Sequence, residues 1–186
     1  GCWNMLDSHD TQRIATVLPD KSLRKLAIVI QFTYPGVPFV YYGSEIGIEG
    51  GWDPENRAPM IWDESKWDNE LRDFYKKIIS IRKKEIALKV GQFKVLSEKP
   101  LAFLRKTPYV LDDIIVIVNK GKKTECTLSV PDGRLLAGTC FVDLFTNEEF
   151  YIVGGVLRTN VPEKGFRILK VVNKIRGNYN QYKRIY

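Results

Sequence analysis

His9 is the only histidine among 186 residues. It stands in the run Leu6-Asp7-Ser8-His9-Asp10-Thr11, with Arg13 just beyond. An imidazole, a carboxylate and a guanidinium therefore fall within five residues, His9 to Arg13. Together such groups can exchange protons, carry charge of either sign and hold polar ligands. Plainer roles exist for each of them. A lone histidine is often a hydrogen-bonded core residue, aspartate suits turns and helix caps, and Arg13 is expected to support nearby carboxylates by an ion pair. What decides between site and scaffold is the set of elements around them.

The elements before residue 88 have an α/β rhythm. Asp20 is placed to cap a helix by accepting from its first free amides. Leu23, Leu26, Ala27 and Ile30 follow helical spacing, and Ile28 with Val29 broaden the face into a largely buried helix. Val37 to Tyr42 is a short apolar run bounded by glycines, as expected of a parallel strand covered on both faces. Trp3 to Leu6 reads as its partner. A long connection from 43 to 68 follows, rich in glycine and carrying Trp52, Trp62 and Trp67. Such a length inside a compact domain is usually functional or disordered, and three tryptophans argue against disorder. Trp62 and Trp67 are expected to pack, while Trp52 could either pack or face a ligand. A second amphipathic helix is expected from Asp68, with Leu71, Phe74, Tyr75, Ile78, Ile79 and Arg82 on one side.

After residue 88 the period shortens to two. Strands are expected at Phe93–Leu96, Leu101–Arg105, Ile114–Val118, Cys126–Val130, Cys140–Leu144, Glu149–Val153 and Phe166–Val171, separated by turn signals. Seven or eight such strands suit an antiparallel β-sandwich. The organisation read from the sequence is residues 1–88 as the last part of a β/α domain, 89–172 as the sandwich and 173–186 as a basic tail. A lone parallel pair is no complete sheet, so earlier strands of the β/α domain are expected to lie outside the chain.

A hydrophobic content of 44% with 27% charge is that of a folded globular protein. No run of eighteen apolar residues is present, so no membrane span is expected. The net charge is +7, but Lys164 to Tyr186 alone carries seven basic residues and no acidic one. A solvated basic tail explains this better than a nucleic-acid surface. Three dispersed cysteines, Cys2, Cys126 and Cys140, lack the spacing of a metal site or disulfide scaffold. No metal ligand set is read, and localisation stays open with a lean to the reducing cytoplasm.

Three motifs in order carry a resemblance. Asn4-Met5-Leu6-Asp7-Ser8-His9-Asp10-Thr11 resembles the region near the seventh barrel strand of the α-amylase family of glycoside hydrolases. Gly36-Val37-Pro38-Phe39-Val40-Tyr41-Tyr42-Gly43-Ser44-Glu45 resembles that family's eighth strand. Gly50-Gly51-Trp52-Asp53-Pro54-Glu55-Asn56-Arg57-Ala58-Pro59-Met60-Ile61-Trp62-Asp63 is similar to the neopullulanase and cyclomaltodextrinase branch. The fold this implies is the C-terminal end of a (β/α)8 TIM barrel followed by an antiparallel β-sandwich.

The resemblance also implies chemistry: cleavage of α-glucosidic bonds with retention, through an oxocarbenium-like transition state flanked by two carboxyl groups. Asp10 matches a third carboxylate that stabilises that transition state. His9 matches an imidazole bonded to the same sugar, and Asp53 with Arg57 the pair that holds the next sugar. As a plain surface ion pair, Asp53 and Arg57 would contribute little. The expected partner is an α-glucan oligosaccharide, together with self-association or the N-terminal part of the parent, with neither nucleic acid nor membrane. No cofactor is implied, calcium being conceivable in the parent alone. The sequence departs from the family at Ser44, often aspartate, at Ala58, often arginine, and at Ile61, often proline. No motif supplies the nucleophile or the acid, so the chain by itself is expected to be inactive. The alternatives are a non-catalytic carbohydrate-binding or scaffold protein of the same fold, and a sandwich that binds sugar on its own.

Overall fold

The computed structural model describes residues 2–130 and 132–175, with the backbone alone at Ile175. The basic tail expected at 173–186 lies outside the described residues from 176 onward. Residues before and after the Lys84–Glu85 junction form two compact units. This division falls before the expected residue 88. Glu85 is buried and bonded to Lys170 of the second unit, Nζ to Oε2 2.5 Å, which ties it to that unit.

The first unit is a β-α-α-β piece followed by a long loop and a helix. Strand β1 (Trp3–Met5) pairs in parallel with β2 (Val37–Phe39), Asn4 standing opposite Pro38. The crossover contains α1 (Ile14–Val17) and α2 (Lys21–Thr33). Asp20 caps α2, its carboxylate accepting from the Ser22 and Leu23 amides at 2.9 and 3.1 Å. Leu26, Ile28, Val29 and Phe32 are buried along α2. From α3 (Asn69–Lys84), Leu71, Tyr75 and Ile78 are buried, and Tyr75 meets Phe32 edge-on at 6.0 Å. Arg82 donates to the carbonyls of Phe32 and Gly36 at 2.6 and 2.5 Å, satisfying the end of α2 and the turn after it.

β2 is shorter than the expected Val37–Tyr42. Its partner β1 has three residues. Beyond it the backbone is taken up by side chains instead of a ladder: Gln31 donates to Phe39 O at 2.7 Å and Arg13 to Tyr42 O at 2.5 Å. Trp3 and Met5 on β1 and Val37 on β2 are more than half exposed.

The second unit opens with α4 (Ile86–Val90), whose Ala87 and Leu88 are fully buried. Eight strands follow: β3 (Gln92–Glu98), β4 (Leu101–Lys106), β5 (Ile114–Asn119), β6 (Thr124–Ser129), β7 (Thr139–Asp143), β8 (Glu149–Val153), β9 (Val156–Val161) and β10 (Gly165–Ile175). They pair antiparallel in the order β3-β4-β5-β10-β7-β8-β9-β6. Leu104, Ile117, Leu128, Phe141, Leu157 and Leu169, drawn from six strands, belong to one buried cluster. This is the expected sandwich.

β9 was not among the expected strands. Its inward positions are Leu157, Thr159 and Val161, and the threonine breaks the apolar alternation. The hairpin signal stood just before it: Gly154 and Gly155 both have positive φ, 59° and 78°, joining Val153 to Val156 by a two-residue turn. β10 also runs four residues past the expected Val171, with a register shift between Val172 and Ile175.

Candidate functional site

His9 and Asp10 sit on a tight turn just after β1. The turn is closed by Ser8 and Thr11: the Ser8 amide donates to Thr11 Oγ1 at 2.9 Å, and the Asp10 amide to Ser8 Oγ at 3.1 Å. Beneath it, Asp7 is buried and accepts from the Ile14 amide at 2.9 Å and from Ser44 Oγ at 2.8 Å. The turn between strand and α1 is thus tied to the loop after β2. Ser44 stands where the resemblance led an aspartate to be expected. A hydroxyl there donates to Asp7, whereas a second carboxylate would bring two like charges together.

The second loop is equally anchored. The Gly50 amide donates to Thr16 Oγ1 at 2.8 Å, and Gly50 O accepts from the Arg13 amide at 3.0 Å. A Cβ at Gly50 would stand 2.6 Å from Glu55 O, so a side chain there would force the loop open. Asn56, almost fully buried, donates through Nδ2 to His9 O at 2.9 Å and Thr11 O at 3.0 Å. One amide therefore clamps the two loops.

This framework brings all four predicted site residues together. Arg57 is the hub. Its Nε donates to His9 O at 3.2 Å and lies 3.5 Å from Asp53 Oδ1, while its Nη2 lies 3.5 Å from Asp10 Oδ1. His9 Nε2 is 3.1 Å from Asp10 Oδ2. All four side chains remain open, 61% exposed at His9, 70% at Asp10, 65% at Asp53 and 49% at Arg57. Loose, solvated contacts of this kind stabilise a fold little. They leave acceptor and donor capacity for a hydroxyl-bearing ligand.

Arg13 departs from its expected role. It is fully buried and makes no ion pair among the described residues. Its guanidinium carbon lies 4.1 Å from the Tyr41 ring centroid and 4.6 Å from that of Tyr42, and Nη1 donates to Tyr42 O. Stacking on two aromatic faces suits a weakly hydrated planar cation. Trp62 also departs: it is 80% exposed rather than packed. Trp67 does pack, its Nε1 donating to Ile61 O at 2.7 Å under the Arg72 guanidinium. Trp52, left open by the sequence, is 66% exposed.

Asp7, Ser44 and Asn56 were not anticipated. Asp7 lay inside the recognised run, but Ser44 and Asn56 act only through contacts 37 and 47 residues distant. No group of three His, Cys, Asp or Glu residues able to hold a metal occurs among the described residues. The three cysteines are free. No described helix is long and apolar enough to cross a membrane.

Comparison with known proteins agrees with this geometry. Residues 1–91 match the α-amylase catalytic domain, and residues 93–168 match the maltogenic amylase C-terminal domain. The chain is 43% identical over 124 residues to a cyclomaltodextrinase of Thermoanaerobacter pseudethanolicus, covering 66% of this chain and 22% of that protein. It is 36% identical over 170 residues to neopullulanase 2 of Thermoactinomyces vulgaris, covering 89% of this chain and 28% of that protein. The chain therefore spans less than a third of the length of these relatives. A crystal structure of an Anoxybacillus α-amylase superposes with a TM-score of 0.80 at 26% identity, covering 95% of this chain and 39% of that one. The first unit is accordingly the C-terminal end of a (β/α)8 barrel, and the second is the sandwich domain that follows it. On the two domain matches and the shared fold, the chain belongs to the α-amylase family of glycoside hydrolases.

Proposed function

We propose that this chain is the last barrel segment and C-terminal domain of a retaining α-glucan hydrolase acting on starch-like oligosaccharides or cyclodextrins. The observation that carries the reading is the contact of Arg57 with both Asp10 and Asp53, at 3.5 Å each, across two loops distant in sequence. Asp10 has the open carboxylate oxygens needed to accept from two sugar hydroxyls. Its charge would stabilise the positive charge that develops at the anomeric carbon in the transition state. His9 donates to a hydroxyl of the same ring. Arg57 offers its planar fork to the next sugar, with Asp53 beside it.

The nucleophile and the acid belong to earlier barrel strands in this reading. The exposed apolar residues of β1 and β2, Trp3, Met5 and Val37, are where such strands would pack. Supply of those strands by an upstream part of the same parent is favoured over self-association.

Two measurements test the proposal. The purified 186-residue chain should release no reducing sugar from maltooligosaccharides or cyclodextrins. In the intact parent, Asp10→Asn should lower kcat by roughly a hundredfold or more, the scale of losing one transition-state electrostatic contact. Turnover by the isolated chain, or an Asp10→Asn parent with unchanged kcat, would refute it. Glucan binding by an intact parent without any turnover would instead mark a non-catalytic protein of the same fold.

A further inference from the structure

Asn56 is the residue of the site to which the proposed chemistry gives no part. It is 1% exposed and stands in a short 3-10 turn, Glu55–Arg57, with Asp53 just before that turn. The turn has supports of its own. The Arg57 amide donates to Pro54 O and the Ala58 amide to Glu55 O, both at 3.1 Å. Glu55 Oε2 accepts from the Gly51 amide at 2.9 Å, and Ala58 O accepts from the Tyr42 hydroxyl at 2.8 Å. Asn56 therefore reaches out from a fixed base.

The two carbonyls it takes, His9 O at 2.9 Å and Thr11 O at 3.0 Å, are those immediately before and after Asp10. Gripping both holds the backbone of Asp10 from each side. The contacts of the Asp10 carboxylate itself are of another kind. It is 70% exposed, and its approaches to His9 and Arg57, 3.1 and 3.5 Å, are solvated ones that constrain little. The place of this carboxylate is thus set through the main chain, by one amide rooted in the neighbouring loop.

The other half of that amide is unpaired. Asn56 Oδ1 is buried and has no hydrogen-bond partner among the described residues. A buried acceptor without a donor weighs against stability. An apolar side chain would fill the space without that cost. What Asn56 has and a packing residue lacks is a pair of donor hydrogens, and both go to the carbonyls around Asp10.

We propose that Asn56 is the positioning residue for Asp10: its amide sets where the carboxylate stands and locks that place to Asp53 and Arg57, so that groups assigned to two successive sugars move as one body. The role rests on the reading of Asp10 as the carboxylate that stabilises the transition state. Misplacing such a group by about 1 Å can cost on the order of a hundredfold in rate. The clamp therefore acts on the transition state more than on binding.

In the intact parent, Asn56→Ala should lower kcat roughly tenfold to a hundredfold while KM changes by less than about threefold. Asn56→Asp fills the same space but, ionised, offers the two carbonyls no donor, and should be impaired at least as much. In the Asp10→Asn background, Asn56→Ala should cost much less, because the carboxylate it places is already gone. The 186-residue chain gives a second measurement, since the ring resonances of its only histidine report the turn by themselves. In Asn56→Ala the His9 resonances should move toward those of the urea-unfolded chain, while the dispersed methyl resonances of the core are kept. Should the alanine variant not fold, Asn56→Ser replaces it throughout, with room for a bridging water and a smaller loss of kcat expected. Unchanged kcat or an unchanged His9 spectrum in the folded variant would overturn the proposal. So would an equal loss in the Asp10→Asn background, a fully active Asn56→Asp, or global unfolding of both the alanine and serine variants. Failure of the Asp10 reading would appear separately, as unchanged kcat in the Asp10→Asn parent.

Discussion

Two arginines in this chain each gather two aspartates, and they do so in opposite ways. Arg57 in the barrel unit stands 3.5 Å from Asp10 and from Asp53, with all three side chains about half exposed or more. Arg134 in the sandwich stands 2.8 Å from Asp113 and 2.6 Å from Asp132, whose side chains are buried. Identical side-chain chemistry therefore serves two ends. Short and desolvated contacts are committed to the fold, because removing one partner strands a buried charge. Long and solvated contacts contribute little to stability and remain open to a ligand.

Arg134→Ala tests the committed half and should have the largest effect. It leaves the fully buried Asp113 carboxylate without its cation and removes the donors to the Thr107 and Pro108 carbonyls. A loss of about 3 kcal/mol is expected, the lower range for breaking a buried pair. Urea unfolding of the intact chain checks it. A loss under about 1 kcal/mol, the value for an exposed pair, would erase the contrast.

This contrast was only partly legible in the sequence. His9, Asp10, Asp53 and Arg57 could be named because they lie in contiguous motifs that resemble those of a known family. Asp20 could be placed because a cap acts within three residues of itself. What escaped was decided by tertiary neighbours. Arg13 reads as a partner for carboxylates until Tyr41 and Tyr42 close over it. Trp62 reads as core by hydrophobicity, yet its loop leaves it in solvent. Asn56 and Ser44 are ordinary loop residues until the fold sets them against His9 and Asp7. The strand Val156–Val161 was hidden by Thr159, whose inward position is a property of the sandwich and not of its own sequence.

The buried network should also sharpen the comparison through pH. Hydrogen bonds from Arg134 hold the Asp132 carboxyl well below the usual carboxylate range. A depressed folded pKa stabilises above the unfolded value of about 4, and that contribution is lost as pH falls further. Burial pushes Asp113 the other way, above its ordinary value. Its charged form is penalised in the fold, so stability contributed by Asp113 rises as pH falls through its folded pKa toward about 4. The two aspartates thus act with opposite signs on adjoining sides of about pH 4. Asp132→Asn should flatten the loss of stability below that point, and Asp113→Asn should remove the gain above it. Denaturant midpoints measured across the acid range decide the matter. Equal changes in the two variants would show that the network does not divide this way.

Arg57→Ala should have the smallest effect on the fold. The carbonyl of His9 that Arg57 contacts also accepts from Asn56 at 2.9 Å, so the loop clamp survives its removal. Asp10 and Asp53 are open to water and lose no partner that solvent cannot replace. The unfolding free energy should move by about 0.5 kcal/mol or less. Ligand binding is another matter, since hydrogen bonds from a charged group are worth about 1.5–3 kcal/mol. In the intact parent, kcat/KM for a maltooligosaccharide should therefore fall roughly tenfold to a hundredfold. Arg57→Lys should recover only part of this, because an ammonium lacks the planar fork that spans neighbouring hydroxyls. A destabilised fold with unchanged kcat/KM would place Arg57 with Arg134 as a structural residue, and the distinction between the two clusters would fail.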